Sequence, residues 1–242
     1  MKGIVKKKSA IVSAIVIAVI TITNYYQEDI EKVLFLHHDV VEATSYNISE
    51  LPKYTGQDYV VLNNNVPSFT EDDYNTTYVE KYSELDDLGR CGVAFAMVSI
   101  DTMPTEKRGS IGMIKPSGWH TVKYDNVDGK YLYNRCHLIG YQLTGENANV
   151  KNLITCTRSM NTKGMLQFEN KVADYVEDTK NHVLYRVTPV FEGSNLVATG
   201  VVMEAKSIED NGKGISFNVF VYNVEDGIEI DYSNGNSKKT DD

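Results

Sequence analysis

Positive charge is scarce in this chain. Of its 242 residues, 24 are Lys or Arg and 33 are Asp or Glu, a net charge of −9. Phosphate binding normally needs a basic surface, so this balance counts against a tight nucleic-acid-binding module. Cysteine is scarce too: Cys91, Cys136 and Cys156 are the three, with no CxxC pair among them. That argues against a structural zinc site, and the odd number excludes a fully paired disulfide framework. No internal repeat, helix-turn-helix or zinc finger is present. What the chain does have is an ordinary hydrophobic content of 42% and 16 tyrosines. The content fits one well-packed domain with a short extension. The tyrosines read as half-buried strand residues, leaving room for one or two that stack on bases.

The N-terminus reads as a targeting segment, residues 1–23. Lys2, Lys6, Lys7 and Lys8 precede an apolar run from Ala10 to Ile22 that only Ser13 and Thr21 interrupt. The run suits a signal peptide and is short for a bilayer span. No clean Ala-x-Ala site follows, so a cleaved signal and an uncleaved membrane anchor both stand. Either places the remainder outside the cytoplasm, secreted or held at the cell surface. Residues 24–50 read as a stalk or linker, with His37 and His38 as solvated positions, and the folded domain spans 51–242.

Within that domain, strands are expected at 59–62, 91–100, 131–137, 153–156, 183–191, 196–208 and 215–223, with a short edge at 227–232 and a polar tail at 233–242. Apolar residues at Leu166, Phe168, Val172, Tyr175 and Val176 predict a helix over 165–180. Strands, one central helix, then strands: the order indicates α+β with a mainly antiparallel sheet.

The chemistry concentrates around Asn134-Arg135-Cys136-His137. In an extended strand Arg135 and His137 share one face, presenting a cation and a base to the same phosphate. Neutral imidazole can take a proton from water. Asn161 offers a hard, neutral oxygen suited to Mg²⁺; a helix N-cap is the plainer role for it, and both can hold at a helix entrance. Glu169 lies eight residues later on the predicted helix. If helical order reaches back to Asn161, the two differ by about 80° in direction, close enough to share one hydrated ion. The charge deficit also reverses here. From 134 to 171 the charged residues are Arg135, Lys151, Arg158, Lys163 and Lys171 against Glu146 and Glu169, a net +3. Arg158 is a further phosphate contact or, equally, a salt-bridge partner. Cys136 and Cys156 read as buried small residues, and one disulfide is compatible with export.

This stretch resembles the signature of the DNA/RNA non-specific endonucleases, usually Asp-Arg-Gly-His, and most of all the streptodornase-like secreted nucleases of Gram-positive bacteria. The resemblance runs from about Tyr59 to Tyr232 and is densest between Tyr131 and Asn170. It implies a central ββα-metal motif. It makes His137 the base that activates water, Asn161 the direct Mg²⁺ ligand (with Mn²⁺ able to substitute), Glu169 the holder of metal-bound water and Arg135 the phosphate contact. DNA, and on the family pattern RNA, would be the substrate; no organic cofactor is implied. Two positions depart from the pattern: Asn134 stands for Asp and Cys136 for Gly. They leave a second expectation, a catalytically weakened surface component for nucleic-acid binding or uptake.

Overall fold

The computed structural model describes residues 50–74 and 80–240. The targeting segment expected at 1–23 and nearly all of the expected stalk lie outside the described residues. Among the described residues, no helix is long and apolar enough to cross a membrane.

Ten strands are described: β1 (Tyr59–Val61), β2 (Glu80–Tyr82), β3 (Ala94–Val98), β4 (Tyr133–His137), β5 (Leu153–Thr157), β6 (Val183–Val190), β7 (Gly200–Ser207), β8 (Ser216–Tyr222), β9 (Ile228–Asp231) and β10 (Asn236–Lys239). Six of them make one antiparallel sheet in the order β1-β8-β7-β6-β3-β2. Two-residue periodicity divides its side chains between the faces. Val183, Tyr185 and Val187, with Val201, Met203 and Ala205, point to the main core. Among the described residues the α-helices are α1 (Glu71–Tyr74), α2 (Tyr141–Thr144) and α3 (Leu166–Thr179). The α3 face carrying Phe168, Val172, Ala173 and Val176 is buried in that core, as the spacing predicts. Phe168 meets Tyr59 at 4.9 Å and Phe217 at 5.0 Å between ring centroids. Each such large side chain contributes about 1.5–3 kcal/mol of burial energy.

The opposite face is polar at its centre. Glu204, 0% exposed, accepts from Arg186 Nε at 2.9 Å and from the amide and hydroxyl of Ser68, both at 2.7 Å. Asn218 Nδ2 adds a donor at 3.3 Å. A buried carboxylate is tolerated only with such partners, and this set fastens the segment around Ser68 across the sheet. Phe69 then covers the Arg186 guanidinium at 4.8 Å.

β4 and β5 form a separate antiparallel ribbon against the main core. β9 and β10 form another, and Gly235 between them accepts from the Tyr133 hydroxyl at 3.0 Å. Part of the expected polar tail is therefore a strand. Its residues, Asn236 to Lys239, show no apolar alternation because pairing with β9, not burial, holds them. The strand expected from 196 begins only at Gly200, because 191–199 turns.

Candidate active site

β4 sends Cys136 into the core, while Arg135 and His137 both contact the loop that joins β3 to β4. The shared face expected of Arg135 and His137 is present. On the core side, Cys136 forms a disulfide with Cys156, with Cα atoms 5.9 Å apart. Asn134 pairs with Cys156 and Cys136 with Ile154, so the bridge is diagonal to the register. It ties the strand that carries His137 to the strand that leads to Asn161.

Buried asparagines fix both strand ends. Asn152, 0% exposed, accepts from the Ile139 amide at 2.8 Å and donates to the Ile139 carbonyl at 3.0 Å, which sets the exit from His137. Asn223, also 0% exposed, accepts from the Thr157 amide at 2.8 Å and donates to the Ala198 carbonyl at 2.8 Å. These are satisfied buried amides, so each adds specificity of position as well as stability.

β5 runs into a π-helical turn, Met160–Met165, which continues into α3. Thr157 Oγ1 accepts from the Met160 amide at 3.0 Å, and Glu225 accepts from the Ser159 amide at 2.9 Å. Capping is thus performed by Thr157 and Glu225. The N-cap alternative for Asn161 falls away; its side chain lines an open cavity instead. π-turns favour functional sites because they re-aim one side chain within a helix. Gly164 makes this one fit, since a Cβ there would lie 2.4 Å from Val221 Cγ1.

Glu169 stands in the first turn of α3, half-buried. Gly140 packs directly on its carboxylate: a Cβ there would lie 2.8 Å from Glu169 Cδ. Burial pushes its pKa up to about 7, against the opposing pull of the Arg108 charge. A carboxylate this poorly solvated is stabilised by any cation that reaches it.

His137 is 6% exposed. Its Nε2 lies 2.7 Å from the Asn147 carbonyl, and its Nδ1 lies 3.2 Å from Arg108 Nη2. A carbonyl can only accept and a guanidinium only donate, so Nε2 carries the hydrogen and Nδ1 is the basic nitrogen. Burial, reinforced by the Arg108 charge and opposed by the Asn147 bond, lowers the pKa to about 4. At neutral pH the ring is an uncharged base.

A family model described as DNA/RNA non-specific endonuclease matches residues 70–209. The chain belongs to this family. NucA from Streptococcus agalactiae is a structural relative of the endonuclease domain. In its magnesium-bound form it is 27% identical with a TM-score of 0.69, covering 80% of this chain and 93% of that one. The structure of the Sda1 nuclease with bound zinc is 30% identical with a TM-score of 0.59, covering 76% of this chain and 97% of that one. A curated deoxyribonuclease from Streptococcus dysgalactiae subsp. equisimilis is 34% identical over 112 residues, 43% of this chain. The chain matches only 32% of that relative's length. The ββα-metal fold expected from the sequence is the fold observed.

The cavity holds about 470 Å³ and brings Arg135, Arg158 and Asn161 together with Arg108. His137 and Glu169 are not among its lining residues; Arg108, which is exposed, connects them to it. Arg108 was not singled out from the sequence. Its signal is weak, a cation in a loop without periodicity, and its partner is 29 residues away. Arg135 is more committed than expected. Its Nε donates to the Ile114 carbonyl, its Nη2 donates to the Gly112 carbonyl at 2.9 Å, and its plane stacks 3.9 Å from the Trp119 ring. Arg135 therefore braces the loop that presents Arg108. Arg158 is paired with Asp128 through Nε at 3.0 Å and Nη2 at 2.9 Å. Asp128 is 75% exposed, so this pair is worth no more than about 1 kcal/mol and yields easily to a phosphate.

Proposed function

We propose that this chain is an exported, magnesium-dependent endonuclease that hydrolyses phosphodiester bonds of DNA without reading their sequence. The observation that carries the proposal is His137, with Nε2 fixed on the Asn147 carbonyl and an unprotonated Nδ1 turned to a cation beside the cavity. Such a nitrogen accepts a proton from an attacking water, and the Asn147 carbonyl stabilises the imidazolium that results. Arg108 is the cation best placed for the phosphate, since it lines the cavity and touches the base. Arg135 keeps Arg108 in place, and Arg158 adds charge at the wall.

The residues present fit a hydrated divalent cation. Asn161 supplies a neutral oxygen and Glu169 a half-buried carboxylate whose pKa desolvation raises, so that a nearby cation would favour its charged form. Among the described residues, no group of three or more His, Cys, Asp or Glu could hold a metal. That favours an ion that keeps its own waters, as Mg²⁺ does, with Mn²⁺ as a substitute. When bound, such an ion neutralises phosphate charge and stabilises the leaving oxygen.

All these contacts address phosphate and sugar, which position a substrate without identifying bases. RNA meets the same requirements and is proposed as a second substrate. Export rests on the Lys-rich start followed by the apolar run, and on the Cys136–Cys156 disulfide, a bond that persists in oxidising compartments. The test is plasmid DNA incubated with purified protein in Mg²⁺ and in EDTA. Nicking that proceeds to a smear in Mg²⁺ and stops in EDTA is expected. No cleavage by folded protein would leave the binding or uptake reading in its place.

A further inference from the structure

The cavity beside Asn161 has more aromatic wall than phosphate binding requires. Trp119, Tyr131 and Tyr133 line it together with the arginines. Tyr131 is 47% exposed. Lys123 Nζ stands 4.4 Å from its ring centroid, so one face of the ring is occupied by a cation and the ring still keeps a large open surface. Burial of the ring is not what holds Tyr131 here. The cavity volume, about 470 Å³, falls in the range of small-ligand sites.

We propose that this cavity is a subsite for one unstacked nucleotide next to the scissile phosphate. Its base stacks on Tyr131 against the Trp119 wall, and the arginines that line the cavity hold its phosphate. The inference rests on the nuclease reading above. Stacking accepts any base, because every base has a π-face, so the subsite adds affinity without adding sequence preference. It does set a preference for strand state. A nucleotide enters only after leaving its duplex stack, which is costly in paired DNA and cheap in single strands.

Trp119 is the one tryptophan in the chain, so its fluorescence reports directly on this cavity. The probe is thymidine 3′,5′-bisphosphate in Mg²⁺, which has no internucleotide bond to cleave. The control is the abasic deoxyribose 3′,5′-bisphosphate. A saturable Trp119 signal is expected with the nucleotide, at an affinity at least ~10-fold above the control, within the 1–3 kcal/mol that one stacked base contributes. Tyr131→Ala should lose at least ~10-fold in nucleotide affinity and Tyr131→Phe little, on the same scale. Tyr131 is exposed, so both variants should fold. Equal affinity for nucleotide and abasic control, or an unchanged Tyr131→Ala, overturns the subsite. Plasmid nicking by the same preparation separates the failures. Nicking without base discrimination overturns the subsite alone, whereas absence of nicking overturns the nuclease reading and the subsite with it.

Discussion

Replacing both Cys136 and Cys156 by Ala tests how the site is held together. The bridge closes a loop with a sequence separation of 20 residues. Chain-entropy arithmetic, 2.1 + 1.5R ln n, gives about 11 cal/mol/K for that loop, or about 3 kcal/mol at 25 °C. In a domain of this size each kcal/mol moves the midpoint by roughly 2–4 °C, so the double variant should melt about 6–12 °C lower. The five-pair ladder between β4 and β5 remains, as do the Asn152 and Asn223 anchors. Cleavage at 25 °C, well below the melt, should therefore change little. The assay is thermal unfolding of the oxidised parent and the variant, with thiols counted in denaturant. The parent should show one thiol, Cys91. Three thiols in exported protein, or a variant melting within about 2 °C of the parent, would refute the reasoning.

The low pKa of His137, about 4, gives a pH signature. The basic form is present above that value, so at saturating Mg²⁺ the acid limb of kcat/KM should lie well below 6.5; a limb at 6.5 would mean a solvated histidine. The same depression costs stability in acid. Between pH 6.5 and 4 the unfolded chain binds the extra proton, so stability falls as pH drops through that window, by about 3 kcal/mol in all; His137→Gln should flatten the fall in denaturant titrations. For the metal, Asn161→Ala should raise the Mg²⁺ requirement more than Glu169→Ala, since only the asparagine is proposed as a direct ligand. Calorimetry near pH 6.5 should detect proton release on Mg²⁺ binding that Glu169→Gln abolishes, because the buried carboxyl is partly protonated there. Glu204→Leu should destabilise by about 3–5 kcal/mol, because the buried Arg186 loses its near carboxylate and keeps only Asp73 at 3.5 Å, with kcat unchanged in the folded fraction; a neutral variant would mean that the pair is dispensable.

Much of the candidate site's placement was legible because local patterns encode it. Alternation placed Arg135 and His137 on one face, and the apolar stripe from Phe168 to Val176 placed α3 and hence Glu169. The eight-residue spacing to Asn161 expressed the join between β5 and the helix, although the join is a π-turn and not regular helix. What stayed hidden depends on contacts distant in sequence. Arg108 meets His137 only when its loop folds over that residue. Arg135 spends its donors on Gly112 and Ile114, which no spacing rule anticipates. The disulfide follows from the β4–β5 register, which brings Cys136 diagonal to Cys156. β10 is invisible to hydropathy because backbone pairing alone defines it.

The central claim is that His137 is the base of a metal-assisted, sequence-independent hydrolysis. Single-turnover cleavage of a random-sequence duplex at saturating Mg²⁺, by the parent and by His137→Ala, tests it most directly. Circular dichroism and thermal unfolding would establish that both are folded. The parent should degrade all sequences to a smear, and the variant should lose at least ~10²-fold in rate, the usual scale for a general base. A folded His137→Ala protein cutting at nearly the parental rate, or discrete bands that persist through extended digestion, would contradict it.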